Sequence, residues 1–327
     1  MAIEGNLTMA NIYAICLDDV RDARERIAGW AHHTPIMTCA TLDRLAGRSL
    51  FFKCEQWQKV GAFKFRGACN AVLRLSDTEA KRGVVTHSSG NHAQALALAA
   101  KLRGIPAHIV MPRNATPVKR RAVEGYAANV IECEPTLVAR EVKVVEVQDR
   151  TGAILIPPYN HRDVMAGQGT VALEMLDEIA ELDAIVTPIS GGGLMAGVAI
   201  AAKALKPAIR LFAAEPLGAD DAARSKAAGT FIEQTAPRTI ADGLLTSMGN
   251  LTWPVVRDLV EAVITVTEEE IVQAMRLTWE RAKFLIEPSS AVAVAAVLTT
   301  VFQDLPAMRK VGIVLSGGNV NLDRLPW

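Results

Sequence analysis

A chain of 327 residues, half of them hydrophobic, can bury a full core and is long enough for two domains. Its 35 basic residues balance 35 acidic ones without a basic run, so a nucleic-acid or polyanion partner gains no support. No apolar run reaches transmembrane length, residues 1–11 lack the layout of a secretory signal, and five scattered cysteines fit reduced thiols, so a cytoplasmic protein without a membrane partner is expected.

The spacing of Val20, Ala23, Ile27 and Trp30 predicts a helix over 18–31, stopped at Thr34-Pro35. Leu50 to Cys54 reads as a buried strand; Gly61 breaks the pattern, and a helix opens near Lys64 and runs to about Leu75. Strands at 83–86, 107–111, 129–133, 154–156 and 184–189 then alternate with helices ending at Leu102 and over 117–124, 136–148, 164–179 and 194–204. That alternation is the beat of right-handed βαβ units and a parallel sheet, hence an open α/β fold. Strand 210–214, helix 220–228, a looser segment to Leu245, strand 263–266, helices 268–285 and 289–301 and strand 311–315 complete it. Cys54 and Cys69 are expected in the core, His32 and His33 at the surface, and His87, His108 and His161 receive no role.

Five strand ends carry chemistry. Lys64, in Gly61-Ala62-Phe63-Lys64-Phe65-Arg66-Gly67-Ala68, sits near a helix start between two aromatics; the helix dipole and poor solvation should lower its pKa, as a Schiff-base lysine requires. Taken alone, a surface lysine opening an amphipathic helix accounts for the same residues. Ser190-Gly191-Gly192-Gly193-Leu194 joins an apolar strand to a helix and offers N–H groups to a phosphate; three successive glycines exceed what packing of a tight turn should need. Gly191, Gly193 and Ala196, followed by Glu215, also satisfy a dinucleotide fingerprint, which leaves a nicotinamide-dependent oxidoreductase as an alternative. Ser88-Ser89-Gly90-Asn91-His92 presents N–H groups and hydroxyls to an anion such as an α-carboxylate, or simply caps a helix. Leu315-Ser316-Gly317-Gly318-Asn319 ends the last strand, and Glu215 to Asp221 gathers carboxylates of the kind that bind Mg²⁺ or Ca²⁺, or that begin a helix.

From about Trp30 to Asn321 these motifs, in this order, resemble the pyridoxal-phosphate enzymes of the serine/threonine dehydratase and serine racemase family, on its racemase-like and hydroxyaspartate-dehydratase side. The resemblance implies a two-domain, fold type II (tryptophan synthase beta-like) architecture: 1–82 and 161–327 as a large cofactor-binding domain, 83–160 as a small mobile one, the cleft between them holding the cofactor. It implies that Lys64 holds pyridoxal phosphate and then acts as general base, with Phe63, Asn91, Ser190, Gly191, Gly192, Gly193, Leu194 and Ser316 around the cofactor. Ser190 stands where the family usually has the first glycine of its loop. Ser88, Ser89, Asn91 and His92 would grip the substrate carboxylate. Arg140, with Thr246, would reach a second carboxylate, which makes threo-3-hydroxyaspartate a candidate beside serine and threonine. Glu215, the Ala219 carbonyl and Asp221 would hold the divalent cation. Lys59, Tyr126, Lys283 and Asn319 would meet an activating nucleotide at a subunit interface, with Val60 in place of the usual hydroxyl residue. A homodimer is implied as well. The activity expected first is an ammonia-lyase converting a small L-3-hydroxy amino acid to a 2-oxo acid; the alternative is serine racemisation, with Ser89 serving the face opposite Lys64.

Overall fold

The computed structural model describes residues 12–115, 117–306 and 308–327. Ten strands occur among them: β1 (Ile36–Met37), β2 (Ser49–Cys54), β3 (Val84–His87), β4 (Ala107–Pro112), β5 (Asn129–Cys133), β6 (Ile154–Leu155), β7 (Ala184–Pro188), β8 (Arg210–Pro216), β9 (Ala262–Val266) and β10 (Lys310–Leu315). They form a six-stranded sheet in the order β1-β2-β10-β7-β8-β9 and a four-stranded sheet in the order β5-β4-β3-β6. Each neighbouring pair is parallel except β1 with β2. The short apolar runs read as strands are therefore those of parallel sheets; β7, covered on both faces, is buried at all five positions.

Parallel pairing sends the loops after β2, β7, β8 and β10 to one edge of the larger sheet, where open α/β sheets bind their ligands. The helix Lys64–Arg74 is pressed against the buried helix Arg162–Glu178 so closely that a Cβ on Gly167 would lie 2.6 Å from both Arg66 O and Gly67 Cα. Lys64 is thus carried on an element that cannot shift independently of the core.

The expected helix over 268–285 is shorter. It ends at Leu277, is followed by a π-helical turn Thr278–Ala282, and Lys283 adopts φ 62°. Thr278 Oγ1 donates back to Ala274 O (2.7 Å) and Trp279 Nε1 to Ile286 O (3.0 Å), which reverses the chain and places Glu287 at the start of the helix Pro288–Leu298. The short helices Ala40–Ala46, Asp77–Arg82 and Trp253–Leu259 are too short to register as periodicity. Cys54 and Cys69 are buried, and His32 and His33 are exposed.

Candidate active site

Lys64 opens its helix with Phe63 at the N-cap. Phe63 N donates to Ser316 O (3.0 Å) and Ala62 pairs with Gly317, so the segment carrying the lysine is pinned to the loop after β10. Lys64 Nζ donates to Pro158 O (2.8 Å) and lies 5.0 Å from the centre of the Phe63 ring. Burial lowers the amine to about 8, against the opposing pull of the Glu287 charge. Of the two flanking aromatics only Phe63 faces the amine; Phe65 is in the core. Two residues on, Arg66 is fully enclosed between two carboxylates. Its guanidinium donates to Glu55 Oε2 and Oε1 (both 2.8 Å) and to Glu174 Oε1 and Oε2 (2.6 and 2.8 Å), while Lys53 Nζ meets Glu174 Oε2 at 2.7 Å.

Glu287 is the residue that sequence reasoning missed. Glu-Pro at a helix start reads as an ordinary acidic first turn, and no local signal ties it to a lysine 223 positions earlier. It is 4% exposed; Oε1 accepts from Asn91 Nδ2 (2.8 Å) and Oε2 from Asn319 N (3.0 Å). Burial, with Asp242 nearby, pushes its carboxyl up to about 8, although both hydrogen bonds favour the charge.

The glycine loop feeds the helix Gly193–Leu205 through Gly192 at φ 83°. The first N–H groups of that helix have no intrahelical acceptor, which is the donor set a phosphate needs. The glycines themselves have a second cause, which corrects the expectation that packing would not require three. A Cβ on Gly191 would lie 2.3 Å from the Tyr159 ring, one on Gly193 2.9 Å from Tyr159 Cα, and one on Gly192 2.9 Å from Thr252. Ser190 Oγ and Thr246 are brought together: Thr246 N donates to Ser190 Oγ (3.0 Å) and the two hydroxyls lie 3.0 Å apart. Ser316 is 3% exposed.

In the loop after β3, Gly90 N donates to Ser88 Oγ (3.3 Å), Ser89 is half-buried, and Asn91 is the first residue of the helix Asn91–Arg103. His92 differs from its expected part. Its ring is buried, Nε2 donates to Ile156 O (2.8 Å), Nδ1 has no partner among the described residues, and burial lowers the ring to about 3. A neutral imidazole whose remaining nitrogen is an acceptor cannot bind a carboxylate; that task falls to the hydroxyls and N–H groups of the loop.

Arg140 lies half-buried on the helix Leu137–Thr151, near enough to His87 and Cys133 for its charge to act on both: burial, and after it Arg140, lowers His87, whereas burial raises Cys133 against the pull of Arg140; its buried Nε has no partner among the described residues. The structure does not join it to the Lys64–Glu287 cluster by any hydrogen bond among the described residues. Glu215 accepts from Ala222 N (3.1 Å) and Ala223 N (2.9 Å), so it caps the following helix and is not turned toward the glycine loop as a ribose contact would be. Burial, together with the charge of Asp221, raises Glu215 to about 8, and burial raises Asp221 to about 6. Asp221 Oδ2 is buried without a partner among the described residues, and Ala219 is buried in the turn between them. Two buried carboxyls, one of them with an oxygen left unpartnered, fit a hard cation, although no group of three or more His, Cys, Asp or Glu side chains that could hold a metal exists among the described residues. Lys59 Nζ sits over the Phe65 ring at 5.6 Å, Asn319 Nδ2 donates to Val60 O (2.7 Å), Lys283 Nζ to Glu280 O (2.8 Å), and Tyr126 packs on the core of the smaller sheet.

No helix among the described residues is long and apolar enough to cross a membrane. Residues 27–317 match the family described as "Pyridoxal-phosphate dependent enzyme". The serine racemase of Arabidopsis thaliana is 55% identical over 316 residues, 96% of each chain. Among solved structures, maize serine racemase is similar with a TM-score of 0.94 at 52% identity over 95% of each chain. The threonine deaminase of T.th. reaches 0.89 at 40% identity, over 95% of this chain and all of that one. The glycine loop is therefore not that of a nicotinamide enzyme. The chain belongs to the pyridoxal-phosphate-dependent enzyme family, with the fold type II architecture of its racemase and deaminase members.

Proposed function

We propose that this protein racemises serine with pyridoxal phosphate, and that elimination of water from serine or threonine is its second reaction. The observation that carries this is the 55% identity along 96% of the chain to a protein named serine racemase. The ammonia-lyase expected first is the second reading; the likeness to threonine deaminase supports it, and the racemases support the alternative better.

The residues fit the cofactor: a part-buried amine whose pKa is lowered to about 8, the N–H groups at the start of the helix Gly193–Leu205, and Ser316, a buried residue just past β10. Joined to an amine through its aldehyde, pyridoxal phosphate draws electrons from the substrate Cα and loosens its hydrogen. Lys64 Nζ would take or return that proton on one face and Ser89 Oγ on the other. The N–H groups of Ser190 to Leu194 would hold the phosphate, Ser316 the ring nitrogen, Asn91 the ring oxygen, and Phe63 would border the ring. Ser88, Ser89 and the helix start at Asn91 would hold the carboxylate. A hydroxyl at Ser316 does not keep the ring nitrogen charged as a carboxylate would, which favours prompt loss of a β-hydroxyl over transamination.

Further parts belong to the same reading. Glu215, Ala219 O and Asp221 hold Mg²⁺ or Ca²⁺. Arg140 with Thr246 admits a dicarboxylate such as 3-hydroxyaspartate. Lys59, Tyr126, Lys283 and Asn319 face an activating nucleotide in a homodimer. Segment 83–160, which contains all of the four-stranded sheet, moves as the small domain.

The test is to follow D-serine and pyruvate together from L-serine with added cofactor. Lys64→Ala should abolish both products. Ser89→Ala should suppress D-serine by about 100-fold or more while reducing pyruvate far less. Pyruvate without D-serine from the unaltered protein would give the deaminase reading precedence, and equal losses in Ser89→Ala would defeat the two-face scheme.

A further inference from the structure

Glu287 has no part in the reaction as outlined, yet both of its buried oxygens are engaged, by Asn91 Nδ2 and by Asn319 N. Its own N–H donates to Gly317 O (3.0 Å), which fixes its backbone against the loop after β10. The polarity of the chain of amides is set from its outer end. Val60 O can only accept, and it takes Asn319 Nδ2 (2.7 Å). The same Nδ2 faces Asn91 Oδ1 (2.9 Å), so the Asn91 amide turns its Nδ2 to Glu287. Rotating either amide by half a turn would set donor against donor or oxygen against oxygen. Gly317 leaves the room: a Cβ there would lie 2.7 Å from Glu287 Oε1 and 3.2 Å from Asn91 Nδ2.

We infer that Glu287 is a positioning residue that locks the Asn91 carboxamide in one orientation, so that its second Nδ2 hydrogen is presented to the ring oxygen of the cofactor. This rests on the proposed cofactor and on Asn91 as its contact. A carboxyl group is required because both partners are donors and each takes one of its oxygens. Glutamine would turn an NH₂ toward one of them, and aspartate is a methylene too short to span both.

The experiment is a fluorescence titration of the cofactor-free protein with pyridoxal phosphate, in a cycle of wild type, Glu287→Gln, Asn91→Ala and the double variant. Glu287→Gln should loosen binding about tenfold, the size of one mismatched buried hydrogen bond. The double variant should bind no more weakly than Asn91→Ala alone. The absorption band of the bound cofactor should shift in Glu287→Gln in the same direction as in Asn91→Ala, which a general loss of stability would not do. Additive losses, an unmoved band, or wild-type affinity in Glu287→Gln would each overturn the inference. Should Glu287→Gln fail to fold, the exposed Asn319→Ala releases the same amide from its other side, and its cycle with Asn91→Ala decides by the same criteria. Failure of the wild type itself to bind would instead overturn the cofactor reading.

Discussion

The Tyr159 ring is seated on Gly191 so closely that a Cβ on the glycine would come within 2.3 Å of the ring. The neighbouring Pro158 supplies the carbonyl that takes Lys64 Nζ, so one short segment touches both the lysine and the glycine loop. Gly191→Ala must displace the ring or the loop, at a cost of roughly 1–3 kcal/mol for overpacking. Urea denaturation should show that Gly191→Ala combined with Tyr159→Ala costs less than the sum of the two single changes. Strict additivity would mean that the ring and the glycine do not meet.

The lowered pKa of Lys64 sets the pH range in which it can react. Below about 8 the amine holds its proton and cannot attack an aldehyde; above it the free base prevails. Uptake of pyridoxal phosphate by the cofactor-free protein, followed by absorbance in a rapid mixer, should quicken about tenfold per pH unit at low pH and level off near pH 8. Glu287 holds the proton on the amine, so Glu287→Gln should move the midpoint lower. A profile still rising past pH 10 would be that of a solvated lysine.

Arg66 is expected to be indispensable to stability for a reason other than its place in the lysine motif. Burial alone would lower its pKa, but Glu55 and Glu174 overcome that and raise it, so the residue is charged throughout. Arg66→Met leaves two carboxylates buried, Glu174 still beside Lys53 and Glu55 without an ionic partner among the described residues, and should cost about 3–5 kcal/mol in urea denaturation. Adding Glu55→Gln and Glu174→Gln should recover part of that loss, because the penalty lies in the stranded charges. No recovery would place the cost in packing instead.

The readable part of this protein was the part written locally. Lys64, Ser88 to His92, Ser190 to Leu194 and Ser316 each follow an apolar run, and parallel pairing then brings such strand ends to common edges without further information. Glu287 and Tyr159 were illegible because their meaning lies in partners far along the chain: Asn91, 196 positions from Glu287, and the glycine loop for Tyr159. The same distance explains why three glycines looked like a phosphate signature alone, since the ring that also demands them is not their neighbour. The helix over 268–285 was overextended because Ile271, Ala274 and Met275 keep a helical rhythm up to the very turn where Trp279 and Thr278 bend the chain. His92 looked like a ligand for a carboxylate, and only its buried bond to Ile156 shows that the ring points into the fold.

The pair Glu215 and Asp221 makes the last prediction one of sign. Both carboxyls hold their protons more tightly folded than unfolded, Glu215 up to about 8 and Asp221 up to about 6. A raised acid stabilises the folded chain least where it must ionise, so without a cation stability should fall as pH rises from about 4 to about 8. A divalent cation bound to the two carboxylates and Ala219 O would replace those protons and reverse the trend. In melting curves, protein treated with chelator should lose a few degrees between pH 6 and pH 8.5. Mg²⁺ or Ca²⁺ should raise the melting temperature more at pH 8.5 than at pH 6, because protons compete for the same oxygens. Asp221→Asn should remove most of the response to the cation. A melting temperature indifferent to cations at both pH values would leave Glu215 as a helix cap and nothing more.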